Sequence, residues 1–77
     1  MKQKVINILQ DIRPEFDFTQ KFNFIEDGML DSFDLVSLVT ALDEHFGISI
    51  DGLEIIPENF MSIDSIINLL KKNGINE

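Results

Sequence analysis

The sequence runs to 77 residues without a cysteine, and its 14 acidic and 6 basic side chains leave a formal net charge of -8. A chain of that length is expected to form one domain, residues 1–77, with a thin core, because so small a domain buries only about 60% of its unfolded surface. The composition excludes a disulfide framework and a thiolate metal site, and the acidity argues against nucleic acid and anionic membrane surfaces, which both attract clustered Lys and Arg.

The hydrophobic content of 44% suits a folded domain rather than a disordered one. Without cross-links, a helical bundle with many aliphatic anchors is the favoured architecture. The apolar stretches are too short for membrane insertion, and Met1 to Lys4 lead into an amphipathic segment rather than a secretory signal. A soluble, cytoplasmic protein is expected. The charge is unevenly spread. No Lys or Arg lies between Lys21 and Lys71, whereas that stretch holds Glu26, Asp27, Asp31, Asp34, Asp43, Glu44, Asp51, Glu54, Glu58 and Asp64. Such a one-signed region suits steering toward basic partners, and an acidic face kept for solubility explains it equally well.

In chain order, Val5, Ile6, Leu9 and Ile12 make a helical stripe over Lys2 to Ile12, with Ile8 beside it. Pro14 ends that helix and biases Arg13 out of the helical region. From Pro14 to Leu30 there is no sustained period. Phe16, Phe18, Phe22, Phe24 and Ile25 are expected to pin this long loop across the bundle, and Gly28 offers a turn. The second helix is expected to open on Asp31 as N-cap, with Asp34 three residues on, near a capping box. Phe33, Val36, Val39, Leu42 and Phe46 form its expected stripe, Leu35, Leu38 and Ala41 widen its apolar surface, and Gly47 stops it. Ile48-Ser49-Ile50 reads as an extended connector. Leu53, Ile55 and Ile56 suggest a turn of helix broken by Pro57. The last helix runs from about Ser62, its cap, to Lys72, with Ile63, Ile66, Ile67 and Leu70 as its stripe and Asn73-Gly74 as its end.

The catalytic inventory is poor: one His and no Cys, Tyr or Trp. His45 reads as a solvated side chain near a helix C-terminus. No nucleophile elbow supports a Ser-His-Asp triad, and Asp27, Asp31 and Asp34 have the wrong spacing for a calcium loop. No catalytic or metal-binding residue is therefore assigned. One constellation stands out, Gly28-Met29-Leu30-Asp31-Ser32-Phe33-Asp34. Ser32 is expected as the first helical residue after the capping Asp31. A phosphate-linked group on its hydroxyl would face open backbone N–H groups and the positive end of the dipole. Taken alone, the Asp-Ser pair reads as an ordinary helix first turn.

The wider pattern resembles the acyl carrier protein family, the phosphopantetheine-binding carriers. Asp31-Ser32-Phe33 stands where that family has an Asp-Ser-Leu type motif opening its second helix. Asp43-Glu44-His45-Phe46-Gly47-Ile48-Ser49-Ile50 is similar to its acidic helix end and apolar connector, and Pro57 to Ile66 is similar to the approach to its last helix. The likeness extends to length, acidity and the long first loop. It implies an all-α four-helix bundle with a long first loop and a short third helix. It also implies that a phosphopantetheinyl transferase moves 4′-phosphopantetheine from coenzyme A onto Ser32, with Asp31 as cap and motif residue. The thiol of that arm would hold cargo as a thioester between an adenylating or acyl-loading enzyme and downstream acyl-accepting enzymes, and the monomeric, non-catalytic carrier would supply tether and recognition.

The same resemblance makes the second helix the docking surface for basic patches on partner enzymes. Asp31, Asp34, Asp43 and Glu44 are the candidate charges, and Phe33, Leu35, Val36 and Thr40 the candidate contacts, each apolar one having a core role as its plain alternative. Ser37 falls where fatty-acid carriers commonly have an acidic residue. Phe33 replaces the usual Leu, and Gly28-Met29-Leu30 replaces a Gly-x-Asp lead-in. These departures favour a stand-alone specialised acyl or aminoacyl carrier. A D-alanyl carrier for teichoic acid modification comes next, then a fatty-acid carrier. The rival from another class is an unmodified acidic helical adaptor for a basic partner.

Overall fold

The computed structural model describes residues 1–75. The first helix, α1, spans Lys2–Ile12, as the stripe predicts, and buries Val5, Ile6, Ile8 and Leu9. Ile12 is only partly buried. Pro14 acts as expected: Arg13 takes φ -132° and ψ 78°, outside the helical region, while its N–H still donates to the Leu9 carbonyl.

The long loop is ordered by its own aromatic side chains and by backbone ties. Phe18 and Phe24 are fully buried and meet edge-to-face, with ring centroids 5.0 Å apart, and Phe16 meets Phe18 edge-on at 6.3 Å. The Phe24 amide donates to the Met61 carbonyl at 2.8 Å, joining the loop to the approach to the last helix. The Phe24 carbonyl accepts the amides of Met29 and Leu30 at 2.9 and 3.0 Å. Asn23 Oδ1 accepts the amides of Ile25 and Glu26 at 3.1 and 2.9 Å, a side-chain substitute for a backbone turn. Gly28 takes a left-handed φ of 73°, which a glycine adopts without steric cost. Phe22 is the aromatic residue that does not pin the loop; it is 47% exposed.

The second helix, α2, spans Ser32–Phe46, and Gly47 closes it in the left-handed region. Its buried face differs from the expected stripe. Leu35, Leu38, Val39 and Leu42 are buried, whereas Phe33 is 84% and Val36 60% exposed. The helix is apolar around much of its circumference, so periodicity alone did not select one face. Packing against α1 selects it, and Phe33 and Val36 are left in solvent.

A short third helix does not form as an α-helix. The chain instead makes two 3-10 turns, Gly52–Glu54 and Pro57–Asn59. Asp51 Oδ1 caps the first by accepting the Leu53 amide at 2.9 Å. Pro57 opens the second and cannot donate the N–H that would continue the first. Asn59 Nδ2 donates to the Glu54 carbonyl at 2.8 Å and holds the two turns together. The final helix, α3, spans Ile63–Lys72 with Ser62 as its cap. It buries Leu69 where the expected stripe had Ile67, which is half-buried.

Among the described residues the architecture is therefore all-helical, with three α-helices and no strand. α1 packs against both α2 and α3, and the second 3-10 turn packs on α3. Phe18, Phe24 and Phe60 are the bulkiest fully buried side chains, and they share one core cluster with Leu9, Leu38, Leu42, Ile66, Leu69 and Leu70. No helix among the described residues is long and apolar enough to cross a membrane.

Loop burial of this kind makes a differential prediction. Phe24→Ala should lower the unfolding free energy by about 3–5 kcal/mol, the usual cost of removing a buried phenyl ring. Phe22→Ala should change it by about 0.5 kcal/mol or less. Urea denaturation followed by circular dichroism compares the two.

Candidate functional site

The site is built on the entry to α2. Asp31 is extended, at φ -110° and ψ -175°, and so aims its carboxylate back over the helix end. Asp31 Oδ1 accepts the Asp34 amide at 3.0 Å, and Asp34 Oδ2 accepts the Asp31 amide at 3.0 Å. This is a complete capping box, built with an aspartate at its third position rather than the more usual Glu. Ser32 follows as the first helical residue and is exposed. Its amide belongs to the first turn, where N–H groups lack intrahelical partners and the dipole is positive. Asp31 takes the Asp34 amide on its carboxylate and the Leu35 amide on its carbonyl, so the hydroxyl stands at a capped helix mouth whose positive dipole end accommodates an anionic group.

Arg13 reaches this mouth from the end of α1. Its Nε donates to Asp34 Oδ2 at 2.8 Å, its Nη2 to Asp31 Oδ2 at 3.2 Å, and its Nη1 to Glu15 Oε2 at 3.1 Å. One guanidinium therefore holds three carboxylates, two of them in the capping box. The Asp34 side chain is only 13% exposed. Its Oδ2 depends on the two donors it has, the Asp31 amide and Arg13 Nε, because withdrawing a donor from a desolvated carboxylate carries the full desolvation cost. Arg13 was legible in sequence only as the residue before Pro14. Its spatial role needed the fold, although an arginine beside a helix-ending proline in a chain with no other arginine was a signal worth following.

The cap also sets charge states. The Asp34 amide holds the Asp31 carboxyl below the ordinary carboxylate range, with the Arg13 charge adding to this and partial desolvation opposing it. Glu15 is lowered by its own backbone amide and then by Arg13. Asp17, further along the loop, is lowered by the Thr19 hydroxyl and amide and by Gln20.

The residues expected to meet partners divide into two groups. Phe33, Val36, Thr40 and Glu44 lie exposed along α2. Asp34 and Leu35 turn inward, Asp34 into the Arg13 cluster and Leu35 into the core, so neither is a surface contact in this fold. Asp43 is half-buried, and its Oδ1 accepts the Ile50 amide at 3.0 Å, which fastens the connector after α2. Thr40 returns its hydroxyl to the Val36 carbonyl at 3.0 Å. His45 is exposed near the end of the helix. Outside α2, Leu53 is 87% exposed, an apolar surface residue that sequence reasoning had assigned to a helical turn.

Two open clefts lie over the long loop rather than at the serine. One, of about 430 Å³, separates the loop from the start of α3, and the other, of about 400 Å³, lies beside Phe16, Phe22 and Met29. Neither is lined by a residue of α2.

The described residues are all-helical, and the chain belongs to the acyl carrier protein family, as two relatives show. It is 30% identical over 71 residues to the D-alanyl carrier protein of Bacillus velezensis, across 90% of this chain and 91% of that one. It is 38% identical over 58 residues to an acyl carrier protein of Buchnera aphidicola, across 75% of this chain and 72% of that one. No family model matches the sequence, and no solved structure matches the fold.

The lowered Asp31 carboxyl gives a pH prediction with a definite sign. A carboxylate whose folded pKa is depressed contributes stability that is present above its unfolded pKa, about 4, and lost as pH falls through the folded value. Asp31→Asn keeps a capping oxygen but loses the charge beside Arg13. Wild type should melt above Asp31→Asn at pH 7, and the gap should close on titration below about pH 4. Thermal melts of both proteins across that range measure it.

Proposed function

We propose that this protein is a stand-alone carrier of acyl or aminoacyl groups, with 4′-phosphopantetheine attached at Ser32. The observation that carries the reading is the placement of Ser32. It is an exposed hydroxyl on the first residue of a helix whose capping box leaves the mouth open to solvent. The residues fit such a group. Nothing in the core need move to admit it, the positive end of the helix dipole favours its phosphate, and Arg13 offsets the carboxylates that would oppose it.

In the attachment step, Ser32 Oγ would attack the phosphorus of coenzyme A that bears the pantetheine. A new oxygen–phosphorus bond forms, the pyrophosphate bond breaks, adenosine 3′,5′-bisphosphate leaves, and the hydroxyl proton passes to a base of the phosphopantetheinyl transferase. The bound arm supplies a terminal thiol, which this cysteine-free chain lacks, and cargo travels on it as a thioester. The chain's own residues orient and recognise. Asp31 and Asp34 fix the first turn, and Phe33, Val36, Thr40 and Glu44 offer an apolar strip with an acid at its far end to partners with basic docking surfaces. Asp31, partly occupied by Arg13, lies at the near end. Those partners are the transferase, an adenylating or acyl-loading enzyme, and enzymes that accept the acyl group. The carrier itself performs no catalysis and acts in the cytoplasm as a monomeric single domain, forming a variant of the four-helix carrier bundle with 3-10 turns in place of the short third helix.

An aminoacyl or specialised acyl cargo is favoured over bulk fatty-acid synthesis. The match to the D-alanyl carrier protein spans 90% of this chain. Phe33 and Ser37 depart from the fatty-acid pattern, and the interior is filled by Phe18, Phe24 and Phe60. A D-alanyl group destined for teichoic acid is the leading specific cargo.

Incubation with coenzyme A and a promiscuous phosphopantetheinyl transferase should add the mass of one phosphopantetheine to the wild type and none to Ser32→Ala, read by intact-protein mass spectrometry. A folded wild type that takes no arm from several transferases would turn the reading toward an unmodified acidic adaptor. Phe33→Ala should leave stability within about 0.5 kcal/mol of wild type, as surface truncations do, yet raise the KM of the transferase or loading enzyme for the carrier. An unchanged KM would remove Phe33 from the docking surface.

A further inference from the structure

We propose that Arg13 is a positioning residue for the modification of Ser32, holding the capping box of α2 in the one arrangement that presents the serine. The inference rests on the reading of Ser32 as the attachment residue. Arg13 lies eighteen positions before Asp31 and twenty-one before Asp34, on the far side of the long loop, yet its guanidinium bonds to both. The capping box has two halves, and Arg13 touches each: Nε at Asp34 Oδ2, 2.8 Å, and Nη2 at Asp31 Oδ2, 3.2 Å. The remaining donor, Nη1, goes to Glu15 at 3.1 Å and ties the guanidinium to its own loop.

The geometry explains why a local box is insufficient here. An aspartate at the third helical position has a shorter side chain than the glutamate usual in this motif, so its carboxylate lies close to the helix and close to Asp31. Two carboxylates within one cap repel each other, and the chain's charge of -8 deepens that repulsion. Asp34 is also largely buried, with Oδ2 shared between the Asp31 amide and Arg13. Without the guanidinium, Asp34 would turn toward water, the Asp31 amide would lose its acceptor, and the first turn would fray. Ser32 would then be presented in only a fraction of molecules. A partner that needs the capped state binds with an apparent dissociation constant raised by the inverse of that fraction.

The test compares Arg13→Gln, Arg13→Lys and the core variant Ile66→Val, each shown to be folded by circular dichroism at the assay temperature, with the same transferase and coenzyme A. Arg13→Gln should raise the KM for the carrier by about fivefold or more with kcat little changed, the signature of a depleted competent state. Arg13→Lys, which keeps the charge but not the fork of donors, should fall between Arg13→Gln and wild type. Ile66→Val lowers global stability without touching the cap and should keep the wild-type KM. Faster exchange of the Asp31 amide, whose acceptor is Asp34 Oδ2, should accompany the change in KM in Arg13→Gln.

A KM for Arg13→Gln within about twofold of wild type would overturn the proposal, and so would a loss confined to kcat, which would put the guanidinium on the reacting atoms instead. An equal rise in Ile66→Val would reduce the effect to general stability and overturn it as well. These results leave the Ser32 reading intact. Failure of the wild type itself to take an arm overturns that reading and this proposal together.

Discussion

A single guanidinium, that of Arg13, ties the end of α1 to the first turn of α2, and the geometry around Ser32 depends on that tie. The causal chain begins with Pro14, which forces Arg13 out of the helix. The side chain then meets Asp31 and Asp34 across the loop. An exposed ion pair would contribute little. This one differs because Asp34 is mostly shielded from water and its carboxylate closes a backbone hydrogen bond of the cap. The acidic chain makes the tie more consequential, since no Lys or Arg lies between Lys21 and Lys71 to take over.

The long loop completes the support from the other side. Phe18 and Phe24 bury in the bundle, and the Phe24 backbone collects the amides of Met29 and Leu30 and donates to Met61. Met29 and Leu30 are buried themselves, so the two residues leading into Asp31 are held in place. Gly28 turns the chain just before them. The serine therefore sits on a helix whose entry is fixed by core packing below and by Arg13 beside it. Exposed Phe33 and Val36 follow it along the outer face. The proposed attachment at Ser32 would use such a division, a firm base for the serine beside an accessible apolar strip.

Much of this was legible in the sequence because the signals were local. The bounds of α1, the cap at Asp31, the stop at Gly47 and the cap at Ser62 follow from proline, aspartate, glycine and serine chemistry within a few residues. Three features were not legible, for physical reasons. The buried face of α2 is chosen by α1, so a helix with apolar residues on several sides gives no unique stripe; of the two candidate contacts Phe33 and Leu35, Phe33 is exposed and Leu35 is in the core. The turn of helix and its break at Pro57 are legible after Ile50, but the short third helix that the resemblance implies is not met, because Pro57 and the Asp51 cap divide the segment into two 3-10 turns. Arg13 reads in sequence only as the residue before Pro14, and Asp34 and Asp43 read as candidate docking charges, Asp34 also as a capping partner. Arg13 meets Asp34 only once segments 21 positions apart are adjacent, and Asp43 takes the Ile50 amide only once the chain turns back after Gly47.

The most direct test of the central claim is to locate the modification by tandem mass spectrometry of proteolytic peptides after phosphopantetheinylation. The arm is expected on Ser32 alone, with Ser37, Ser49, Ser62 and Ser65 unmodified. An arm on any of those other serines, or a folded chain that carries none, would contradict the assignment of the α2 mouth as the carrier site.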